Sequence, residues 1–169
     1  MEKTVKLYSL SYSEIKTYLF ATLFIAGNII LPQLCHLIPG GGFVWLPIYF
    51  FTLIAAYKYG IKVGLLTAIL SPLVNSLIFG MPPVAMLPII ITKSILLASV
   101  AAFVAHRFNK VAILPILIVI LSYQIIGIAI EWMMVKDLWV AVQDFRIGIP
   151  GLLFQLLGGY ALLKAIAKL

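Results

Sequence analysis

The sequence predicts an all-α integral membrane protein, with six transmembrane helices in one bundle and both termini in the cytoplasm. Of its 169 residues, 64% are hydrophobic and 10% are charged, and the mean hydropathy is +1.18. A chain of this composition has too little polar surface to cover a water-soluble globule. Because a spanning helix needs about 20 mostly apolar residues, this length holds roughly six spans and no separate soluble domain.

Six apolar stretches define the helices of a single predicted domain over 1–169. They cover about 15–34, 43–59, 61–79, 84–106, 111–134 and 147–167. The first follows a polar segment and lacks a cleavage site of small residues, so we expect it to be retained rather than removed as a signal peptide. The second follows a glycine-rich run at 39–42 and contains Pro47, so we expect it to be short, tilted or partly re-entrant. Gly60 is the predicted stop between the second and third helices, and Pro88 and Pro115 fit the first turns of theirs.

Positive charges lie on alternate connections, and this pattern predicts the orientation of the bundle. Basic residues precede the first span, separate the second from the third and the fourth from the fifth, and follow the last, at Lys3, Lys6, Lys16, Lys58, Lys62, Arg107, Lys110, Lys164 and Lys168. The connections at 35–42 and 80–83 carry no charge, and that at 135–146 balances Lys136 and Arg146 against Asp137 and Asp144. Since Lys and Arg favour the cytoplasmic side, both termini are expected there, in a bacterial or archaeal cytoplasmic membrane. The net charge of +7 then reflects topology, and no exposed basic domain remains for nucleic acid.

Cys35 is the single cysteine of the chain and is predicted to lie near the outer surface beside His36. A Cys-His pair supplies only two metal ligands, and His106 is predicted at the opposite face. We therefore interpret the pair as a loop feature and predict no metal site. A metal-containing tetrapyrrole as ligand is kept as a remote alternative.

Strongly polar side chains within five of the predicted spans fall in the half of the bundle that faces outward. They are Asn28, Asn75, Lys93, Gln124, Glu131 and Gln155, within about 5 to 15 Å of the outer boundary at 1.5 Å per residue. Unsatisfied polar groups are costly in hydrocarbon, so their convergence predicts a polar cavity open to the outside. The alternative is that each forms an interhelical hydrogen bond, worth about 0.6 to 2 kcal/mol.

Lys93 and Glu131 are the two charged members of this group. An intramembrane charge costs roughly 3 kcal/mol or more unless a partner or ligand offsets it. One interpretation is that the two residues pair with each other, or that Glu131 reaches water near Trp132. The other is that the Lys93 ammonium binds a carboxylate or another anionic group of a ligand, and together the two charges suit an amphoteric or carboxylated molecule.

Aromatic residues cluster near the outer ends of the spans. Trp45 with Phe43 and Tyr49, and Trp132 with Trp139, could line the mouth of the cavity or form an ordinary interfacial belt. The glycine run at 40–42 is a flexible loop that could let an outer segment close over a ligand.

The size, the six spans, the cytoplasmic termini and the outer polar cavity resemble the substrate-binding S-component of energy-coupling factor (ECF) vitamin transporters. The resemblance covers the whole chain in architecture. Local segments that read like this family are Leu46-Pro47-Ile48-Tyr49, Tyr59-Gly60-Ile61-Lys62-Val63-Gly64 and Ser71-Pro72-Leu73-Val74-Asn75. The resemblance implies capture of a vitamin or related micronutrient from outside, and association with a transmembrane coupling protein and two cytoplasmic ATPases.

The family's first helix carries an Ala-x-x-x-Ala pattern for docking to the coupling protein. The nearest matches are Thr17-x-x-x-Ala21 and Thr22-x-x-x-Ala26, which are also compatible with routine helix packing.

Other functional classes have weaker support in the sequence. The chain has no nucleotide-binding Gly-x-x-x-x-Gly-Lys-Ser/Thr pattern, no His-Glu-x-x-His and no Gly-x-Ser-x-Gly, so we expect neither an enzyme nor a resident cofactor. A membrane scaffold of the MreD cell-shape type fits the size and hydropathy and is the main alternative. A proton-coupled carrier could use Glu131, but it would need a homodimer because no internal repeat is evident.

Overall fold

The computed structural model describes residues 7–167, which form an all-α bundle. The chain folds into nine α-helices within this range, of which three are single short turns or little more. They are α1 (Ile15–His36), α2 (Gly41–Trp45), α3 (Phe50–Tyr59), α4 (Ile61–Phe79), α5 (Leu87–Phe108), α6 (Ile113–Val135), α7 (Leu138–Ala141), α8 (Gln143–Arg146) and α9 (Ile149–Ile166). Short 3-10 turns precede α3 at Pro47–Tyr49 and α5 at Val84–Met86.

Five helices in the described part of the chain are long and apolar enough to cross a membrane. They are α1, α4, α5 with its preceding turn, α6 and α9, with 18 to 25 residues each. At 1.5 Å per residue, they extend over about 27 to 37 Å, which matches the hydrocarbon core of a bilayer. The chain is therefore a multi-pass membrane protein, as the composition predicts, and these five helices agree with the predicted spans to within a few residues.

The second predicted span, 43–59, differs from the prediction because it is not one continuous helix. The chain forms α2, leaves right-handed helical geometry at Leu46, which has a φ of +46°, and makes a 3-10 turn before α3 begins at Phe50. Pro47 explains the break, since proline disfavours helical backbone in the preceding residue and has no N–H to donate. The remaining α3 has 10 residues and extends over about 15 Å, half a bilayer core.

Helix α3 forms the centre of the bundle. Nine of its ten residues are buried, all except Phe51, and it packs against α1, α4, α5 and α9. Around it, α1 contacts α4, α4 contacts α5, α5 contacts α6 and α6 contacts α9, while α2 lies between α9 and α1. Gly60, with a φ of +92°, makes the sharp reversal from α3 into α4.

The two ends of the bundle differ in charge. At one end, here called the cavity end, the carboxyl ends of α1, α4 and α6 meet the amino ends of α5 and α9. At the opposite end lie the basic residues Lys16, Lys58, Lys62, Arg107, Lys110 and Lys164. There the N-terminal segment runs along the end of α3, where the Tyr8 N–H donates to the Lys58 carbonyl at 2.9 Å. This bond satisfies one of the carbonyls that a helix leaves unpaired at its end.

Candidate ligand-binding site

A cavity of about 230 Å³ opens at the cavity end of the bundle. Its walls come from the end of α1, the irregular segment around α2, the turn before α5, the first two turns of α5, the end of α6 and the α7–α8 segment. Most of the lining is apolar, with Pro32, Met81, Met86 and Ile90 among it, and the carboxylates and an ammonium group are gathered on one side. An apolar pocket with a few convergent polar groups is the usual form of a small-molecule site.

The charged side of the cavity is a set of three ionisable residues, here called the charge triad: Lys93, Glu131 and Asp144. The Lys93 Nζ lies 2.5 Å from the Glu131 Oε2 and 2.9 Å from the Asp144 Oδ2. The side chains are only 4%, 9% and 13% exposed, respectively. Lys93 thus has two protein carboxylates as partners. Its pairing with Glu131 agrees with one of the two interpretations drawn from the sequence.

Packing between α5 and α6 explains how the lysine reaches the carboxylates. Gly127 faces the Lys93 stem, and a Cβ at that position would lie 3.0 Å from the Lys93 Cγ. The absence of a side chain lets the aliphatic stem cross α6 and reach Glu131, which lies one turn further along the same buried face.

The third member of the triad comes from the connection between α6 and α9, whose charges have separate roles. The Asp137 carboxylate accepts hydrogen bonds from the backbone N–H groups of Trp139 and Val140 and so caps α7. The Arg146 guanidinium lies over the Trp139 ring, 3.7 Å from its centroid. Asp144 turns inward to Lys93, so the charges of this connection do not simply balance one another in solvent.

A second buried polar cluster lies deeper along the same face of α6. The Tyr123 hydroxyl donates to the Gln155 Oε1 at 2.9 Å and accepts from the Gln124 Nε2 at 3.1 Å. The helical rise places Gln124 about 10 Å deeper than Glu131. Within the described residues, the Gln124 Oε1 and the Gln155 Nε2 have no hydrogen-bond partner, and neither has the buried Ser94 hydroxyl of α5. Buried polar atoms of this kind are normally satisfied by protein, water or ligand.

Asn28 and Asn75, by contrast, are used in contacts between helices. The Asn28 Nδ2 donates to the Thr52 Oγ1 at 3.0 Å and the Ser71 Oγ at 3.3 Å, and its Oδ1 accepts from the Phe51 N–H at the start of α3. The Asn75 Nδ2 donates to the backbone carbonyl of Asn28 at 2.8 Å. These bonds connect α1, α3 and α4, so the two residues match the interpretation as interhelical hydrogen bonds.

The aromatic residues and the Cys-His pair singled out in the sequence also differ in whether they line the cavity. Trp45 is 38% exposed and lies outside the cavity lining, with its ring perpendicular to that of Phe154 of α9, whereas Tyr49 is buried and lines the cavity. His36 also lines the cavity, but no group of three metal-ligating side chains occurs among residues 7–167.

The two docking patterns predicted on α1 lie on different faces. Thr17 and Ala21 are buried, and Thr17 donates to the Ser11 carbonyl, so this pair packs inside the bundle. Thr22 and Ala26 are exposed. Of the two patterns, only the second offers a surface of small residues to another helix.

Comparisons with protein-family models, curated proteins and solved structures gave no match. Composition and fold by themselves identify the chain as a multi-pass helical membrane protein.

Proposed function

We propose that this chain is the substrate-binding subunit of an ECF-type importer and captures a vitamin or related micronutrient from outside the cell. The observation that carries the proposal is the cavity at one end of the bundle, with an apolar lining and the charge triad on one wall. A scaffold held together by helix packing has no need for ionisable groups beside an open cavity, because intramembrane charges are costly.

The distribution of charge supports the orientation that this function needs. Six Lys and Arg residues of the described chain lie at the end opposite the cavity, and positive residues favour the cytoplasm. The cavity end would then face outward and both termini would lie in the cytoplasm. The segment α2–α3 would be an interrupted membrane-spanning segment, which brings the number of spans to six. In this proposal, the exposed Thr22–Ala26 face of α1 docks on the coupling protein, and two cytoplasmic ATPases supply the energy.

Ligand binding is the first property to test. The purified chain in nanodiscs is screened by thermal shift against vitamins and cofactor precursors. A compound at about 100 times its dissociation constant stabilises the folded state by about 2.7 kcal/mol. Ile89→Trp, which fills the cavity, should remove the shift, while Ile125→Trp on the exposed face of α6 should keep it. A folded protein that no compound stabilises would instead favour the scaffold function of the MreD type.

Orientation and docking are tested separately in cells. In a Cys35→Ser background, a membrane-impermeant maleimide should label Asp137→Cys from outside and reach Asn109→Cys only after lysis, since these exposed positions lie at opposite ends. Thr22→Trp should abolish uptake while leaving binding to the purified protein intact. The reverse labelling pattern would place the cavity in the cytoplasm and contradict uptake from outside.

A further inference from the structure

We propose that Glu131 and Asp144 bind a positively charged group of the ligand, so that the substrate is a small organic amine or another organic cation. This inference depends on the proposed function and names the chemistry of its substrate. It replaces the sequence expectation that the Lys93 ammonium binds a carboxylate.

The balance of charge in the triad is the first reason. Two carboxylates and one ammonium give a formal charge of minus one when all three are ionised. The three side chains are at most 13% exposed, so water screens this excess poorly. A buried charge is stable only when it is paired, and a cation entering the cavity supplies the missing partner.

The contacts of Lys93 are the second reason. An ammonium has three N–H donors, and two carboxylates already lie within 2.9 Å of Nζ. An anionic ligand that reached the remaining donor would lie close to both carboxylates and would be repelled by them. A ligand cation meets the opposite situation, because it gains two carboxylate acceptors and competes with Lys93 for them.

The rest of the cavity indicates the body of the ligand. Most of the other lining residues are apolar, with Met81, Met86 and Ile90 among them, and the buried Tyr49 also lines the cavity. The volume of about 230 Å³ equals that of roughly seven or eight liquid waters. Such a space suits a compact apolar group, such as one ring, that carries an amine.

The test compares ligands of opposite charge on the full chain in nanodiscs. Three probe groups are used: cations (thiamine, pyridoxamine), neutral compounds (pyridoxine, nicotinamide) and anions (nicotinate, pantothenate, biotin). Pyridoxamine and pyridoxine share a ring and differ in whether one substituent ends in an amine or a hydroxyl. The proposal expects the compounds that raise the melting temperature to be cations. Stabilisation by carboxylates that lack a cationic group would overturn it.

Variants then assign the binding groups. For a cation that binds, Asp144→Asn and Glu131→Gln should each weaken binding by about ten- to hundredfold, the loss expected for a charged hydrogen bond. Asp137→Asn is the matched control, because it lies in the same connection but caps α7 away from the cavity, and it should leave binding unchanged.

Lys93→Gln separates the two interpretations of the site most sharply. If Lys93 competes with the ligand for the carboxylates, its removal should tighten binding of the cation several-fold. Loss of binding in this variant, together with unchanged binding in Asp144→Asn, would overturn the proposal and favour a site for anions. If Lys93→Gln does not fold, the two carboxylate variants decide alone. A folded wild-type chain that binds no probe of any charge would count against the proposed function itself, which is a different outcome from binding of anions.

Discussion

Removing the ammonium of the charge triad should destabilise the protein more than removing all three charges. In Lys93→Met, the aliphatic stem keeps its volume against Gly127, but the Glu131 and Asp144 carboxylates lose their shared partner. Their paired oxygens lie roughly 5.4 Å apart or less, because each is bound to the same Nζ. At an effective dielectric constant of about 20, two negative charges at roughly 5.4 Å repel by about 3 kcal/mol.

The expected loss of unfolding free energy includes both this repulsion and the loss of two buried ion pairs. Breaking a buried pair by removing one partner typically costs about 3 to 5 kcal/mol. For a chain of this size, that loss corresponds to a drop of about 10 °C in melting temperature. The triple variant Lys93→Met, Glu131→Gln, Asp144→Asn carries no charge to desolvate, so it should recover most of the lost stability.

The assay is thermal unfolding of the purified protein in one detergent, followed by intrinsic fluorescence. Lys16→Met is the control, because Lys16 is exposed and this substitution also removes one positive charge from the chain. The melting temperature of this variant should stay within about 2 °C of the wild-type value. A Lys93→Met variant as stable as the wild type, or a triple variant no more stable than Lys93→Met, would contradict this prediction. Either result would mean that the three residues do not act as one electrostatic unit.

Three further substitutions test the other polar contacts and the packing beneath the triad. Asn28→Ala removes three side-chain hydrogen bonds and should cost about 2 kcal/mol in unfolding free energy, against less than about 0.6 kcal/mol for Gln33→Ala, which loses one bond of 3.4 Å; equal losses would contradict the role of Asn28 in joining helices. Tyr123→Phe leaves two buried amides without their shared hydroxyl and should cost about 1 kcal/mol in the same unfolding assay, while no change would indicate that water replaces the hydroxyl. Gly127→Leu places a side chain against the Lys93 stem and should lower the unfolding free energy by about 1 to 3 kcal/mol, whereas Ala129→Leu on the exposed face of α6 should leave it unaltered; an unchanged melting temperature in the first variant would argue against this packing.

The candidate site could be predicted only in part. Lys93 and Glu131 were identified because a charge inside an apolar span is conspicuous in one dimension, and both line the cavity. Asp144 was missed as a member of the site, since nothing in the sequence of its connection distinguishes it from Asp137. The two differ in the fold alone: one caps a short helix and the other meets a lysine 51 residues away.

The class of the protein and the approximate positions of its five long helices follow from the amino-acid sequence alone. Hydropathy is a local property, because each spanning segment must be apolar over the thickness of the bilayer whatever its neighbours are. The sequence also gave reason to expect an irregular second span, since Pro47 and the glycine run at 39–42 are local signals.

Which face of each helix is buried depends on the packing of the helices in three dimensions. In a helix that meets lipid on one side and protein on the other, both sides are apolar, so the amphipathic pattern that orients a helix in a soluble protein is weak. For this reason the sequence could not separate Thr17 and Ala21, which are buried, from Thr22 and Ala26, which are exposed. The same reason made Asn28 a candidate for ligand binding, while the bundle uses it to join three helices.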